Sequence, residues 1–210
     1  MRLSLLALAS VLVAGTTSLH ADSFVPYGNA GHPITTSSPV TYTGADGAGI
    51  TAYFYSVSAA DTDTISVFDA TTGTFLGPQG ALNNQISVPG TTTVVFDSST
   101  LKNGDTLYFD LFNTSFPGDT FSSNATTSPD GDNHSYITPF SGTIGSFGTI
   151  NGTYVGMEDL PNGSSDFDYN DDTFVFTSVS ATPTPEPSTF ALLGTGLLGA
   201  AGALRRKFAR

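Results

Sequence analysis

Residues 50–76 read ITAYFYSVSAADTDTISVFDATTGTFL, in which β-branched and aromatic runs alternate with clusters of Ser, Asp, Thr and Gly. The runs 50–57, 64–68 and 74–76 carry the side chains that suit a pleated, half-buried surface, and residues 69–73 form a turn between two of them. Downstream, the runs 85–88, 92–96 and 106–112 continue the pattern, with Lys102-Asn103-Gly104-Asp105 as another turn. Upstream, a lead-in rich in Gly, Pro, Ser and Thr ends in one strand at residues 40–42, and His32 beside Pro33 reads as a surface residue. The runs recur at short spacing, no stretch has the period of an amphipathic helix, and the chain holds 23 glycines. Together these features predict an all-β fold, a single antiparallel β-sandwich or jelly-roll-like domain over residues 22–180. Residues 113–128, rich in Ser, Thr and Asn, read as a long surface loop.

The chain contains no cysteine. About 160 residues suffice for one sizeable core, so the domain is held by that core or by a metal rather than by disulfides.

A second stretch, EDLPNGSSDFDYNDDTFVF at residues 158–176, puts Glu158, Asp159, Asp166, Asp168, Asp171 and Asp172 within fifteen residues, with Asn170 among them. No Lys or Arg occurs between Lys102 and Arg205. Two carboxylates about 5 to 6 Å apart repel by roughly 3 kcal/mol at an effective dielectric near 20, so the loop either splays into water or holds a hard cation. Oxygen donors without His or Cys suit calcium better than zinc or copper, and calcium better than magnesium, which keeps most of its waters. An EF-hand does not fit, because its invariant Gly falls at Asp171 and its closing Glu at Thr177. Asp166, Asp168, Asn170, Asp172, Phe174 and Phe176 share one parity, so the chain must turn or bulge near Asp171 and Asp172 to separate carboxylates from the core face. The expected arrangement is an acidic loop at 158–172 feeding a core strand, with Met157 in the core.

Two further acidic sites stay open. Asp61 and Asp63 read either as a second cation site or, more simply, as a solvated turn. Asp130-Gly131-Asp132-Asn133 either supplies Asp130 or Asp132 to the calcium loop, with His134 orienting one of its carboxylates, or forms a plain turn into a strand at Tyr136.

The order Gly156-Met157-Glu158-Asp159-Leu160, an Asn162-Gly163 turn, then Asp166-Phe167-Asp168-Tyr169-Asn170-Asp171 and a β-rich run resembles the signature of the DUF4114 domain of bacterial exported and surface proteins. Residues 130–136 are similar to a second element of those domains. The resemblance covers roughly residues 130–177 and implies a β-rich, calcium-binding module with no established catalytic activity. Its ligands would be Glu158, Asp159, Asp166, Asp168, Asn170 and Asp171, with Asp172 and Asp132 behind them. Asp172 stands where that family usually has an apolar residue, which leaves open whether it is a ligand or solvated.

The termini describe export. Arg2 and the apolar residues 3–14 form a signal peptide expected to be cut after Ala21. Residues 181–210 hold a proline-stiffened spacer, the apolar run 190–204, and then Arg205, Arg206 and Lys207. Fifteen helical residues span only about 22 Å against a hydrocarbon core near 30 Å, which snorkelling and local thinning would have to bridge. Pro185-Glu186-Pro187 ahead of a short apolar helix and a basic end is similar to the PEP-CTERM sorting signal. That resemblance implies processing by an exosortase, membrane contact only through the C-terminal helix before processing, and delivery to the cell surface or exterior in bacteria that make exopolysaccharide.

Between those segments, residues 22–186 carry eighteen acids against Lys102 alone, a formal charge of −17. Nucleic acid and anionic membrane surfaces are excluded as partners by that balance. Neutral polysaccharide, cations and basic partners remain. No nucleophile elbow, zinc motif or P-loop occurs, and the crowded carboxylates lack the contrasting environments of an acid and base pair. The expected function is therefore a non-catalytic, calcium-binding module of the envelope or biofilm matrix. The alternative is calcium-dependent carbohydrate recognition through Tyr53, Tyr55, Tyr108 and Tyr136.

Overall fold

The alternation in the sequence becomes a two-sided code in the strands. In β3 (Asp63–Asp69) and β6 (Thr106–Asn113) every second residue is buried, giving core-facing rows Asp63, Ile65, Val67, Asp69 and Leu107, Phe109, Leu111, Asn113. The computed structural model describes residues 25–115 and 119–181. The signal peptide expected at 1–21 and the sorting residues Pro185, Glu186, Pro187, Arg205, Arg206 and Lys207 lie outside the described residues. Within those described, no helix is long and apolar enough to cross a membrane.

The remaining strands are β1 (Val40–Tyr42), β2 (Ile50–Val57), β4 (Thr74–Phe75), β5 (Thr93–Phe96), β7 (Asp119–Ser122), β8 (Ser135–Ile144), β9 (Gly148–Met157), β10 (Asp172–Phe176) and β11 (Val179–Ala181). One sheet runs β11-β1-β6-β3-β4, with β7 also paired to β6; the other runs β5-β2-β10-β9-β8. Every pairing is antiparallel. The chain crosses repeatedly between the sheets, so the expected all-β antiparallel sandwich is what forms.

The sheets face each other across one core. Val40, Tyr42, Ile65, Val67, Leu107 and Phe109 meet Ala52, Phe54, Phe96, Val155, Phe174 and Phe176. Phe176 lies 4.3 Å from Phe109 between ring centroids and 6.3 Å from Phe96. A smaller apolar cluster, Tyr55, Phe140, Ile144, Tyr154 and Val175, covers the outer face of the second sheet. Its roof is the β8-β9 hairpin. Although β8 is the edge strand opposite β5, Ser146 at the hairpin tip donates its N–H to the Gly90 carbonyl beside β2 at 3.0 Å, so the hairpin arches across the sheet.

Three local expectations differ from the structure. Residues 85–88 are not a strand: the amides of Ile86 and Ser87 donate back to the Asn83 carbonyl, and Ile86 and Val88 are 81% and 57% exposed. The loop expected at 113–128 contains β7, which extends the first sheet along β6. The strand at Tyr136 grows into the ten-residue β8, paired along its length with β9, whose β signal is diluted by Gly148, Gly152 and Gly156.

The turn or bulge expected near Asp171 and Asp172 does not separate carboxylates from the core face: β10 keeps its alternation against β9, and Asp172 stays on the row of Phe174 and Phe176. Between Thr173 and Phe174 the pairing with β2 shifts, so that Tyr55 is the extra residue, while pairing with β9 runs on without a break. The bulge lets β10 be buried from end to end.

Phe176→Ala should lower unfolding free energy by about 3 to 5 kcal/mol in urea titrations. Ile86→Ala should change it by less than about 0.5 kcal/mol, and a large loss there would restore the strand at 85–88.

Candidate metal centre

Backbone handedness sorts the loop's side chains. Phe167 and Tyr169 both take left-handed conformations, φ +48° and +56°, which non-glycine residues adopt only when their surroundings enforce it. The two rings turn inward and are buried. Tyr169 accepts the Ile34 amide at 2.8 Å on its hydroxyl, and Tyr27 meets its ring edge-on at 4.8 Å. The irregular lead-in thus fastens the loop, and Asp166 and Asp168, on the alternate positions, are turned toward Glu158.

Carboxylate oxygens of Glu158, Asp166 and Asp168 lie within 4.8 Å of one another. Glu158 follows directly on Met157 at the end of β9 and is 1% exposed. Its two oxygens accept the Ser165 hydroxyl and the Tyr169 amide. Burial, first of all, and then the charges of Asp171 and Asp166 push its carboxyl up to about 7 against those two donors. Asp168 is also raised, by burial and by Asp166. Asn170 bonds Asp168 through both its backbone amide and its side chain. An all-oxygen set with one rigid buried carboxylate and two on a turn is the donor chemistry of a hard divalent cation. Beside it, Ser56, Val57, Ser58 and Asn170 line an open hollow of about 280 Å³.

The other candidates fall elsewhere. Asp159 and Asp171 form a pair next to the triad: the Asp159 amide donates to Asp171 Oδ2 at 3.2 Å, and the Asp171 carbonyl accepts Ser58 and Ala59. Burial followed by mutual repulsion pushes Asp171 to about 7, while burial and then the charge of Asp63 push Asp159 to about 6. Asp172 opens the core-facing row of β10 and meets Asp63, which opens that of β3. Burial and then Asp63 raise Asp172 to about 9; burial raises Asp63 to about 6, with Asp61 adding to it.

Asp132 is not brought to the triad. Its Oδ2 accepts the Asn162 side-chain amide at 2.7 Å, while Asp130 Oδ2 accepts the Asn162 backbone amide at 2.7 Å. His134 Nε2 sits 3.1 Å from both oxygens of Asp130. Burial works against the ionised Asp130, but the amides of Asn162 and Asp132 and then His134 hold its carboxyl below the usual range. This group therefore clamps the start of the loop, and the carboxylate that His134 orients is Asp130. Asn84 and Asn113, which serve Asp61, Asp63, Asp159 and Asp172, gave no signal in the sequence because an isolated Asn has many roles.

The tyrosines proposed for sugar contact divide. Tyr53, Tyr55 and Tyr136 pack against Phe147, Phe140 and Tyr27. Tyr108 lies on the outer face of the first sheet, lining with Phe68, Phe75, Asp110 and Asn124 a trough of about 250 Å³.

Two families match the sequence: the domain of unknown function DUF4114 over residues 69–178, and the PEP-CTERM protein-sorting motif over residues 183–207. No curated protein and no solved structure matches it. The first match extends well upstream of the motif region, takes in the whole triad, and leaves out Asp61 and Asp63.

Gly156 lies so close to the Tyr169 carbonyl that any Cβ would overlap it. Gly156→Ala should cost roughly 2 kcal/mol or more and displace the loop, read as a lower melting temperature together with weaker ion binding. The raised carboxyls fix a sign for pH. A carboxyl with a higher pKa folded than unfolded makes the folded chain bind the extra proton between the two values, so stability falls as pH rises. In chelator, the melting temperature should fall from about pH 4 to about pH 9, most steeply near pH 5 to 6, where the folded chain still holds protons on Asp63, Asp159, Glu158, Asp171 and Asp172 that the unfolded chain has lost. A profile that is flat or rises would contradict the burial of these groups.

Proposed function

The chain belongs to the DUF4114 family and carries a PEP-CTERM protein-sorting motif, and from that premise we propose that it is a non-catalytic, calcium-stabilised β module of the cell envelope or biofilm matrix. PEP-CTERM motifs mark exported proteins that an exosortase processes and sorts to the envelope. The observation that carries the reading is the convergence of Glu158, Asp166 and Asp168 within 4.8 Å around a carboxylate that is 1% exposed. Such a group is stable ionised only with a counter-charge, and Lys102 is the one Lys or Arg among the described residues.

When bound, the ion supplies that counter-charge. The chain's own work is to hold the oxygens: β9 fixes Glu158, the inward rings of Phe167 and Tyr169 set the turn, and the Asp130–Asn162 clamp holds the loop's first residues. Calcium is favoured by the all-oxygen donors, by loop geometry, and by its abundance outside cells. A ligand that binds only the folded state stabilises by about 2.7 kcal/mol at a hundredfold excess over its Kd, which replaces the disulfides this exported chain lacks.

A second reading, recognition of a neutral polysaccharide, is favoured by the aromatic trough of Phe68, Phe75 and Tyr108. None of its residues belongs to the acidic loop, so binding there would persist in chelator. Loss of glycan-array signal with Tyr108→Ala, and not with EDTA, would support it.

The calcium reading predicts that millimolar calcium raises the melting temperature by about 5 to 10 °C and magnesium by much less. Asp166→Asn with Asp168→Asn should remove most of the loop's share of that shift and of the affinity by titration calorimetry. Unchanged values for both would end the reading. For sorting, replacing Pro185, Glu186 and Pro187 with Ala should leave the C-terminal segment on the protein recovered from cells, measured by intact mass.

A further inference from the structure

The triad is not the only place where carboxylates turn inward. At the same end of the sandwich, Asp63 opens β3 in the first sheet and Asp172 opens β10 in the second, each on its core-facing row. They are 1% and 0% exposed, more deeply buried than two of the three members of the triad. Asp63 pairs in register with Asn113, and Asp172 with Met157 at the end of β9.

Their hydrogen bonds are one-sided. A single Asn84 amide nitrogen serves Asp63 Oδ2 at 3.0 Å, Asp172 Oδ2 at 3.1 Å and the Asp61 carbonyl at 3.1 Å, three acceptors for two hydrogens. Asn84 Oδ1 in turn accepts the Asp63 amide at 2.9 Å, which fixes its orientation. The remaining oxygens, Asp63 Oδ1 and Asp172 Oδ1, are buried and receive no N–H or O–H from any other residue, while the two carboxyls lie within hydrogen-bond reach of each other. Buried polar atoms are nearly always satisfied, and an ionised carboxylate oxygen without a donor is among the costliest exceptions. Around them the Asn113 side-chain amide ties Asp61 Oδ2 at 3.0 Å to the Asp159 carbonyl at 2.9 Å. The Asp159 amide meets Asp171 Oδ2 at 3.2 Å. Donors thus hold the outside of this group while two buried oxygens are left over within it.

We infer that Asp63 and Asp172 form a second divalent-cation site, distinct from the triad, in which the ion bridges the two sheets. The chemical class is again a hard ion such as calcium, because no nitrogen or sulfur ligand is present in the group. The site shares with the proposed function only the identity of the ion. One of its members stands outside the family match: Asp63 precedes the matched residues 69–178. A cation here would couple β3 to β10, strands that share no backbone hydrogen bond.

The test is the number of calcium ions per chain, counted by native mass spectrometry on the intact exported protein. The wild type should hold two. Asp63→Asn with Asp172→Asn should hold one, as should Asp166→Asn with Asp168→Asn, and the four changes together none. Asp63→Asn alone, nearly isosteric and still paired to Asn84, should weaken the second ion at least tenfold in calorimetry; its urea midpoint checks that it folds. A wild type with one ion, lost only with the triad, overturns this site and leaves the proposed function standing. One ion lost only with Asp63 and Asp172 does the reverse. A folded double variant that keeps both ions also overturns it, and the pair is then a carboxylic acid sharing a proton with its neighbour.

Discussion

Repulsion between carboxylates gathered at one end of the sandwich is the constraint around which this molecule is built. Glu158, Asp159, Asp63 and Asp172 are buried there, and Asp171 lies half-buried among them. Lys102 sits in the turn before β6, while Asn113 at the far end of that strand marks the acidic pole, a distance of about 25 Å at the rise of a strand. Among the described residues Lys102 is the one Lys or Arg, so none lies at that pole. Such a pole is stable in two ways: its carboxyls take up protons, or a cation binds. Were a cation to bind there, folding and ion occupancy would be one equilibrium.

The rest of the fold serves to hold that pole still. The paired sheets bring the ends of β3, β6, β9 and β10 together, and each core-facing row that is apolar in its middle finishes on Asp63, Asn113 or Asp172. Parts remote in sequence fasten the loop. The lead-in supplies Tyr27 and the Ile34 amide to Tyr169, and the segment before β8 supplies Asp130 and Asp132 to Asn162. Gly156 lets the loop backbone approach β9. These contacts set the positions of the oxygens before any ligand arrives, which lowers the ordering cost of binding.

The charge distribution suits an exported life. An acidic body repels anionic surfaces, while every Lys and Arg except Lys102 lies in the two terminal segments. The match of the PEP-CTERM motif to residues 183–207 and of DUF4114 to residues 69–178 divides the chain in the same way, into an address and a cargo.

The class of fold was legible because β-branched alternation and turn residues are local signals: residues 50–57 and 106–112 reappear as strands almost unchanged. Residues 85–88 misled because a short apolar alternation does not by itself supply a pairing partner. The acid-rich loop, its oxygen-only chemistry and the sorting signal were likewise written in consecutive residues. The groupings among the acids were not. Glu158 joins Asp166 and Asp168 because Phe167 and Tyr169 adopt left-handed backbone, and Asp132 is drawn off to Asn162 by a clamp. Asp63 meets Asp172 across 109 positions of chain because two sheets stack. Residue type is a property of one position, but repulsion, burial and the lack of a donor belong to pairs, and only the packed sheets decide which pairs exist.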